Sequence, residues 1–199
     1  MFALYLKNRN MKKTIMILAH PNLEMSIANR TISEAVNELE NTEVRDLAKL
    51  YPDFNIDVEA EQQALLEADQ IVFQYPIYWF NMPPILKQWF DKVFAYGFAF
   101  GTDYQLEGKE IFVSVTTGGP EEGYVGGNLE SKILFPLEGI AGYCKMKYLE
   151  PSVLFAMMET PKINAAALKR KAEEQAEKIT NRIQKQQLKV EEQQILVEI

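Results

Sequence analysis

Residues 70–84 read Gln-Ile-Val-Phe-Gln-Tyr-Pro-Ile-Tyr-Trp-Phe-Asn-Met-Pro-Pro, and they contain the junction that decides the fold. The mostly apolar run over residues 70–75 is typical of a strand that is covered on both faces of a sheet. Pro76 stops this strand. Pro83-Pro84 then opens a helix that we expect to continue to about residue 96, because proline is tolerated in a first helical turn. A buried strand followed by a helix is the repeating unit of an α/β protein.

The same alternation of strand and helix extends from this junction in both directions. Apolar runs predict strands over residues 14–19, 42–47, 70–75, 109–116 and 145–156. Helical spacing and capping signals predict helices over residues 26–39, 59–68, 84–96, 129–142 and 165–189, the first with Ser26 as its N-cap. The sequence therefore predicts an α/β fold, a three-layer sandwich around a five-stranded parallel sheet.

Composition and charge exclude several classes of protein. The 199 residues are 47% hydrophobic and 25% charged, which rules out wholesale disorder. The net charge of -7 argues against a nucleic-acid partner, because acidic surfaces repel phosphate backbones. With Cys144 as the single cysteine and His20 as the single histidine, we expect no intrachain disulfide and no metal site of the Cys/His kind. Cys144 is interpreted as a buried structural residue in a cytoplasmic protein.

One domain is predicted, over residues 12–183. Residues 1–11 are interpreted as an N-terminal extension, and residues 184–199 as either a continuation of the last helix or a loose tail. Lys12 and Lys13 precede an apolar run, but this run is shorter than the roughly 7–15 residues of a secretory signal core. No run approaches the roughly 20 apolar residues that a membrane span needs.

Three segments directly follow predicted strands, and ligands of parallel sheets bind at such strand ends. The first leads from His20 into the helix at Ser26, where backbone amides and the Ser26 and Asn29 side chains favour an anion such as phosphate. The second, residues 76–84, is aromatic and bounded by prolines. The third contains Gly118-Gly119, whose bare backbone can approach a ring edge. Together they predict a site for a phosphorylated planar cofactor.

Common nucleotide-binding and hydrolase motifs are absent from the sequence. No Gly-x-Gly-x-x-Gly follows the first strand, no Gly-x-x-x-x-Gly-Lys-Ser/Thr occurs, and no Gly-x-Ser-x-Gly occurs. These absences argue against a dinucleotide-binding domain of the Rossmann kind, a P-loop NTPase and a common serine hydrolase.

Longer motifs carry a specific resemblance. They are Ala19-His-Pro21, Gln74-Tyr-Pro-Ile-Tyr-Trp-Phe-Asn-Met-Pro-Pro-Ile-Leu-Lys-Gln-Trp-Phe-Asp-Lys-Val-Phe94, Thr116-Thr-Gly-Gly119 and Leu50-Tyr-Pro-Asp-Phe-Asn-Ile-Asp57. Taken in their order along the chain, these motifs resemble the flavodoxin-like NAD(P)H:quinone oxidoreductases over about residues 12–183. The last motif is similar to the bacterial branch, which includes the ancillary oxidoreductase subunits of glutathione-regulated potassium-efflux systems and general-stress NAD(P)H oxidoreductases.

The resemblance implies a flavodoxin-like fold that binds a flavin non-covalently, with FMN favoured over FAD and NAD(P)H as co-substrate. Carried over by position, the phosphate side would be held by His20, Ser26, Ile27, Ala28 and Asn29. The ring would be lined by Ile77, Tyr78, Trp79 and Phe80, and its polar edge would meet Thr116, Thr117, Gly118 and Gly119. Tyr124 matches a tyrosine that faces the hydride-transfer site in animal members. The histidine that accompanies that tyrosine has no counterpart here, because the matching region holds Asn128 and Glu130.

The activity that the resemblance implies is two-electron hydride transfer from NAD(P)H to a quinone or similar acceptor, in a ping-pong cycle. Family members form dimers in which both subunits build each site, so we expect a homodimer with residues 94–100 as a candidate interface. One alternative is a flavin- and nucleotide-sensing regulatory subunit of a potassium-efflux system, peripheral at the inner face of the cell membrane. Further alternatives are a one-electron flavodoxin carrier and an azoreductase or nitroreductase.

The candidate residues also have structural interpretations. His20 has an alternative as a satisfied turn histidine, and Tyr78, Trp79 and Phe80 as core packing. Gly118-Gly119 has an alternative as a simple turn, and Tyr124 as part of the loop scaffold.

Overall fold

The computed structural model describes residues 11–124, 128–161 and 163–195, and within them strands and helices alternate as predicted. Residues 1–10 of the predicted extension and residues 125–127, shortly after Tyr124, lie outside the described residues. The strands are β1 Thr14–Leu18, β2 Thr42–Asp46, β3 Gln70–Pro76, β4 Glu110–Thr116, β5 Lys147–Tyr148 and β6 Ser152–Leu154. The helices are α1 Ile27–Asn37, α2 Leu47–Leu50, α3 Val58–Glu67, α4 Pro84–Val93, α5 Phe135–Tyr143 and α6 Ala165–Ile195.

The strands form one parallel sheet in the order β2-β1-β3-β4-β5, with β6 also paired to β4. The chain moves from β1 outward to β2 and then crosses to β3 on the other side of β1. The strand order therefore reverses at β1 and β3, which is where open parallel sheets form ligand crevices beyond their carboxyl ends. The predicted α/β fold with a parallel sheet is confirmed.

The prediction of one strand over residues 145–156 is wrong. Two short strands, β5 and β6, pair with the two ends of β4. Pro151 lies between them and has no backbone N–H to donate to the ladder, so pairing is interrupted there. The sheet consequently contains six strand segments instead of five.

Two predicted helices also differ at their ends. Helix α4 ends at Val93, three residues earlier than predicted, because Phe94 leaves the helical conformation with a ψ of 60°. A π-helical turn, Glu130–Leu134, precedes α5, and Pro136 lies in the first turn of α5. Pro136 thus delays the regular helix, because a proline cannot donate within a helix interior. The last helix, α6, continues to Ile195, as in the first of the two alternatives for the C-terminal stretch.

Apolar cores cover both faces of the sheet. On one face α1 and α6 pack over Met16, Val72 and Phe112. The opposite face is more aromatic, with Phe73 and Trp89 in a cluster that includes residues of α3, α4 and α5. The structural interpretation of Cys144 is confirmed, since the residue is buried in this second core. Burial raises the pKa of its thiol to about 11. Among the helices of the described residues, none has both the length and the apolar character needed to cross a membrane.

Candidate active site

A cleft of about 470 Å³ opens beyond the carboxyl ends of β1, β3 and β4, at the point where the strand order reverses. It is lined by His20, Asn22, Met25, Ser26, Ile27, Ala28, Asn29, Pro76, Ile77, Tyr78, Thr116, Thr117, Gly118, Met157, Met158, Glu159 and Leu168. Among these described residues there is no lysine or arginine, and Glu159 is the one carboxylate. A bound anion would therefore be held by dipoles and hydrogen bonds instead of a side-chain cation.

The N-terminus of α1 forms one wall of the cleft. Ser26 is the N-cap, and its Oγ accepts a hydrogen bond of 3.1 Å from the Asn29 backbone N–H. The first N–H groups of a helix lack intrahelical partners, and the helix dipole adds partial positive charge there. Because Ser26, Ile27 and Ala28 line the cleft at this helix end, the wall has the character of an anion-binding site.

Buried polar side chains connect this helix end to the sheet. Asn29 Nδ2 donates to Ser26 Oγ at 3.1 Å and to Thr116 Oγ1 at 2.9 Å. Gln74 Nε2 donates to Asn29 Oδ1 at 2.8 Å. These bonds join α1 to the ends of β3 and β4, so the wall is fixed relative to the sheet before any ligand enters.

His20 lines the cleft, with 8% of its surface exposed. Its Nδ1 accepts a hydrogen bond of 3.1 Å from the Asn22 backbone N–H, which places the ring proton of the neutral imidazole on Nε2. Burial lowers the pKa of His20 below its ordinary value, and the charge of Asp46 opposes this only in part. The edge of the ring faces Tyr78, with 6.3 Å between the ring centroids. His20 is thus a neutral donor in the cleft, although the turn also satisfies one of its nitrogens.

The segment after β3 forms a tight two-residue turn. Tyr78 and Asn81 exchange backbone hydrogen bonds of 2.9 and 3.0 Å, and Trp79 and Phe80 between them have φ angles of 46° and 64°. The Trp79 side chain is 94% exposed at the tip of this turn, so the core-packing interpretation is wrong for it. Phe80 is half exposed and its edge faces Tyr124, with 5.8 Å between the ring centroids.

The loop after β4, which contains Gly118 and Gly119 and is called the glycine loop below, forms the opposite wall of the cleft. Thr117 Oγ1 donates to the Gly119 carbonyl at 2.8 Å, which holds the loop in a turn. A Cβ on Gly118 would lie 3.0 Å from the terminal methyl of Met158, so a larger residue would crowd the cleft wall here. The Tyr124 hydroxyl lies 3.5 Å from the Gly119 nitrogen, directly beside this loop.

The family follows from this geometry and from comparison with known proteins. A family model described as flavodoxin-like fold matches residues 12–179. The chain belongs to the flavodoxin-like fold family. The glutathione-regulated potassium-efflux system ancillary protein KefF of Klebsiella pneumoniae (strain 342) is 45% identical over 146 residues, which cover 72% of this chain and 81% of KefF.

Solved structures are also similar to this flavodoxin-like chain, and two of them carry informative names. General stress protein 14 of Treponema denticola, in complex with FMN, has a TM-score of 0.79 at 36% identity, covering 88% of this chain and 99% of that chain. An NADPH-quinone reductase from P. pentosaceus has a TM-score of 0.70 at 31% identity, covering 85% of this chain and 98% of that chain. The resemblance stated from the sequence motifs is confirmed.

The flavodoxin-like cleft brings together most of the residues singled out by sequence. Its lining includes His20, Ser26, Ile27, Ala28, Asn29, Ile77, Tyr78, Thr116, Thr117 and Gly118. Four others do not line it: Trp79 and Phe80 form the neighbouring turn, and Gly119 and Tyr124 lie together on the glycine loop.

Sequence reasoning missed a further segment of the lining, Met157, Met158 and Glu159. This segment follows β6, and it reaches the cleft because the Met157 N–H donates to the Thr117 carbonyl at 2.8 Å. The Ala156 N–H likewise donates to the Gly119 carbonyl at 2.9 Å. The signal that could have found it is its position directly after a strand; the predicted strand continues to residue 156, whereas β6 ends at Leu154.

A second cavity, of about 510 Å³, lies between α4 and α5. It is lined by Asn81, Met82, Lys87, Phe90, Asp91, Phe94, Phe100, Pro136, Ile140, Tyr143 and Cys144. Tyr96 and Tyr143 are mostly exposed beside it, whereas Phe94 and Phe98 are buried in the core. Only part of the predicted interface over residues 94–100 therefore faces outward.

Proposed function

We propose that this chain is an NAD(P)H-dependent flavoprotein reductase that holds FMN in the 470 Å³ cleft and passes two electrons to a quinone or similar acceptor. The observation that carries the proposal is the cleft itself, which joins a helix N-terminus, a neutral polar wall and an aromatic turn at the switch point of the sheet. The similar structures named for an FMN complex and for NADPH-quinone reductase activity support the same reading.

The residues present fit a phosphorylated flavin. The first backbone N–H groups of α1, which a helix leaves without intrahelical partners, lie beside Ser26 and are the donor set expected for a phosphate in a site without a side-chain cation. Gly118 has no side chain, and a Cβ there would already lie 3.0 Å from the terminal methyl of Met158, so the narrow cleft wall favours glycine, whose bare backbone a ring edge can approach. Tyr78 presents an apolar ring toward the same space, while its hydroxyl remains protonated because burial raises its pKa.

The residues of this chain would divide the binding between them. His20, Ser26 and Asn29, with the backbone of Ile27 and Ala28, would hold the phosphate side. The wall of the ring would be Ile77 and Tyr78, flanked by Trp79 and Phe80, and the polar edge would meet Thr116, Thr117, Gly118 and Gly119. A bound flavin supplies two-electron transfer between a reduced nicotinamide and the acceptor.

Tyr124 has a proposed role at the mouth of the cleft. Its ring lies between Phe80 and Phe155, with centroid separations of 5.8 and 6.2 Å. Its hydroxyl, 3.5 Å from the Gly119 nitrogen, is positioned to donate a hydrogen bond to an acceptor molecule that enters there. Since the chain has no second histidine to pair with it, solvent would supply the proton.

The test of the proposal is a flavin titration followed by turnover. Purified protein should quench the fluorescence of added FMN with a dissociation constant below the micromolar range, and it should bind FMN more tightly than FAD. The loaded protein should then oxidise NADH or NADPH only when a quinone is supplied, with parallel-line kinetics typical of a ping-pong cycle. Failure to bind either flavin would refute the proposal, and binding without turnover would favour the regulatory role.

A homodimer is part of the proposal. The cavity between α4 and α5, with the exposed rings of Tyr96 and Tyr143 beside it, is an apolar surface of the kind that a partner covers. Analytical ultracentrifugation should show a dimer, and Tyr143→Asp should shift it toward monomer without unfolding it. A wild-type protein that remains monomeric at high concentration would contradict this part of the proposal.

The second candidate function is regulatory, and the similarity to KefF favours it. In that case the loaded chain would bind a membrane potassium-efflux protein from its inner side. Co-purification with such a transporter, dependent on bound flavin or nucleotide, would support this role. Efficient turnover without any effect on potassium efflux would support the reductase function and argue against the regulatory one.

A further inference from the structure

We propose that Gln74 is a positioning residue that fixes the direction of the hydrogen bonds offered by the polar wall of the cleft. The inference rests on the proposed binding of FMN there. Gln74 lies on β3, two residues before the strand ends at Pro76, and it does not itself line the cleft. It is completely buried, and a buried amide costs free energy unless its hydrogen bonds are satisfied.

Only one end of the Gln74 amide has a hydrogen-bond partner, so fold stability alone does not explain a glutamine at this buried position. Its Nε2 donates to Asn29 Oδ1 at 2.8 Å, whereas its Oε1 is buried and accepts no hydrogen bond within the described part of the chain. The one side-chain bond that Gln74 makes there is therefore directed at Asn29, which is itself buried and lines the cleft.

The bond to Gln74 determines which way the Asn29 amide faces. A primary amide has a donor end and an acceptor end, so when Oδ1 accepts from Gln74, Nδ2 must face Ser26 and Thr116. Both hydroxyl oxygens then accept from Nδ2, at 3.1 and 2.9 Å. Each hydroxyl keeps its own proton free to donate elsewhere, and both residues line the cleft.

The wall consequently offers donors, which suit phosphate oxygens and ring carbonyls. Without the Gln74 donor, the Asn29 amide can turn by half a revolution and present Oδ1 to the two hydroxyls. Ser26 and Thr116 would then donate to Asn29, and their exposed oxygens would face the ligand as acceptors. An acceptor wall opposes an anion, so Gln74 sets the polarity of a site that it does not touch.

Gln74→Met tests this role, because methionine has a similar length but offers no donor. Gln70→Met is the matched control on the same strand. Gln70 is also buried, and only one end of its amide is paired among the described residues. Its Oε1 accepts a hydrogen bond from the Thr14 hydroxyl at 3.4 Å, whereas its Nε2 is unpaired there. Four residues along a strand separate it from Gln74 by about 13 Å, toward the end of the sheet remote from the cleft.

The expected readout is a selective loss of FMN affinity. Gln74→Met should weaken FMN binding by about tenfold to a hundredfold, the range for a hydrogen bond to a charged group. Riboflavin, which lacks the phosphate, should lose less, and Gln70→Met should change either affinity by no more than about twofold. Thermal unfolding of the FMN-free proteins measures the stability change in each variant separately.

A double-mutant cycle gives a readout that a merely structural role would not produce. In a Ser26→Ala background one of the two oriented hydroxyls is missing, so Gln74→Met should then weaken FMN binding by a smaller factor. Additive losses would overturn the proposal, as would equal losses from Gln70→Met.

Folding failure and the underlying function have separate outcomes. If Gln74→Met and Gln74→Leu both fail to fold while Gln70→Met folds, Gln74 is a core residue and the positioning role is overturned. If the wild-type protein binds FMN and Gln74→Met binds it equally, the positioning role alone is refuted. If the wild-type protein binds no flavin, the proposed function fails and the positioning role fails with it.

Discussion

Glu61→Gln should destabilise the fold more than any other single loss of charge in the described chain. The Glu61 side chain on α3 is completely buried. Its Oε1 accepts from Arg45 Nη2 at 2.6 Å and from the Tyr51 hydroxyl at 2.6 Å, and its Oε2 accepts from Trp89 Nε1 at 2.8 Å. A glutamine would place an NH2 group against one of these donors and leave the half-buried Arg45 guanidinium with the Glu43 carboxylate, at 2.8 Å, as its remaining counter-ion among the described residues. Removing one partner of a buried pair costs about 3–5 kcal/mol.

The assay is thermal or urea unfolding of the flavin-free chain. A loss of 3–5 kcal/mol should lower the midpoint by about 6–20 °C for a domain of this size. Glu59→Gln is the matched control, since Glu59 is exposed on the same helix and should lose less than about 1 kcal/mol. Equal midpoints for the two variants would refute the reasoning and show that the network adds little beyond its own desolvation cost.

Three further predictions concern the site. Trp79→Ala should leave the unfolding midpoint unchanged, because the side chain is exposed, but weaken FMN binding by the roughly 1–3 kcal/mol of a buried aromatic contact, measured by fluorescence titration. Tyr124→Phe should retain FMN and lower kcat for quinone several-fold, because a hydrogen-bond donor beside Gly119 is lost; unchanged half-reactions in stopped-flow would place Tyr124 in the loop scaffold. His20, the single histidine, should titrate in NMR spectra with a pKa below 6.5, because burial disfavours the charged ring. At pH values between the folded and the unfolded pKa of His20, the folded chain binds fewer protons than the unfolded chain, so the free energy of unfolding should fall as the pH drops through the folded pKa. An NMR titration midpoint of His20 above 6.5 would contradict this prediction.

The architecture could be predicted because buried parallel strands leave continuous apolar runs between amphipathic helices. Two features of the fold could not be predicted from this pattern, the short helix α2 and the break between β5 and β6. Helix α2 has only four residues, too few for a helical period to appear. The break between β5 and β6 depends on Pro151, which interrupts the pairing although the apolar residues around it favour one continuous strand.

The site was predictable where it follows strands, because parallel strands bring their carboxyl ends to one edge. Ser26 and Thr116 are 90 residues apart in the chain yet hydrogen-bond to the same Asn29 amide. The roles of Gln74 and Glu61 could not be predicted, because both depend on partners from other elements. Glu61 is one of several acidic residues on α3, and only its contacts with β2 and α4 distinguish it from the solvated ones.

The turn after β3 is the clearest departure from what stability alone would favour. Two-residue turns with both central residues left-handed usually contain Asn-Gly, whereas this one contains Trp79-Phe80 at φ angles of 46° and 64°. Each such residue costs roughly 1–2 kcal/mol. Burial does not offset this for Trp79, which is 94% exposed. The turn persists because Tyr78 and Asn81 exchange two backbone hydrogen bonds around it. A strained and exposed aromatic pair beside the cleft therefore supports the proposed contact with a planar ligand, since Asn-Gly would close the same turn at lower cost.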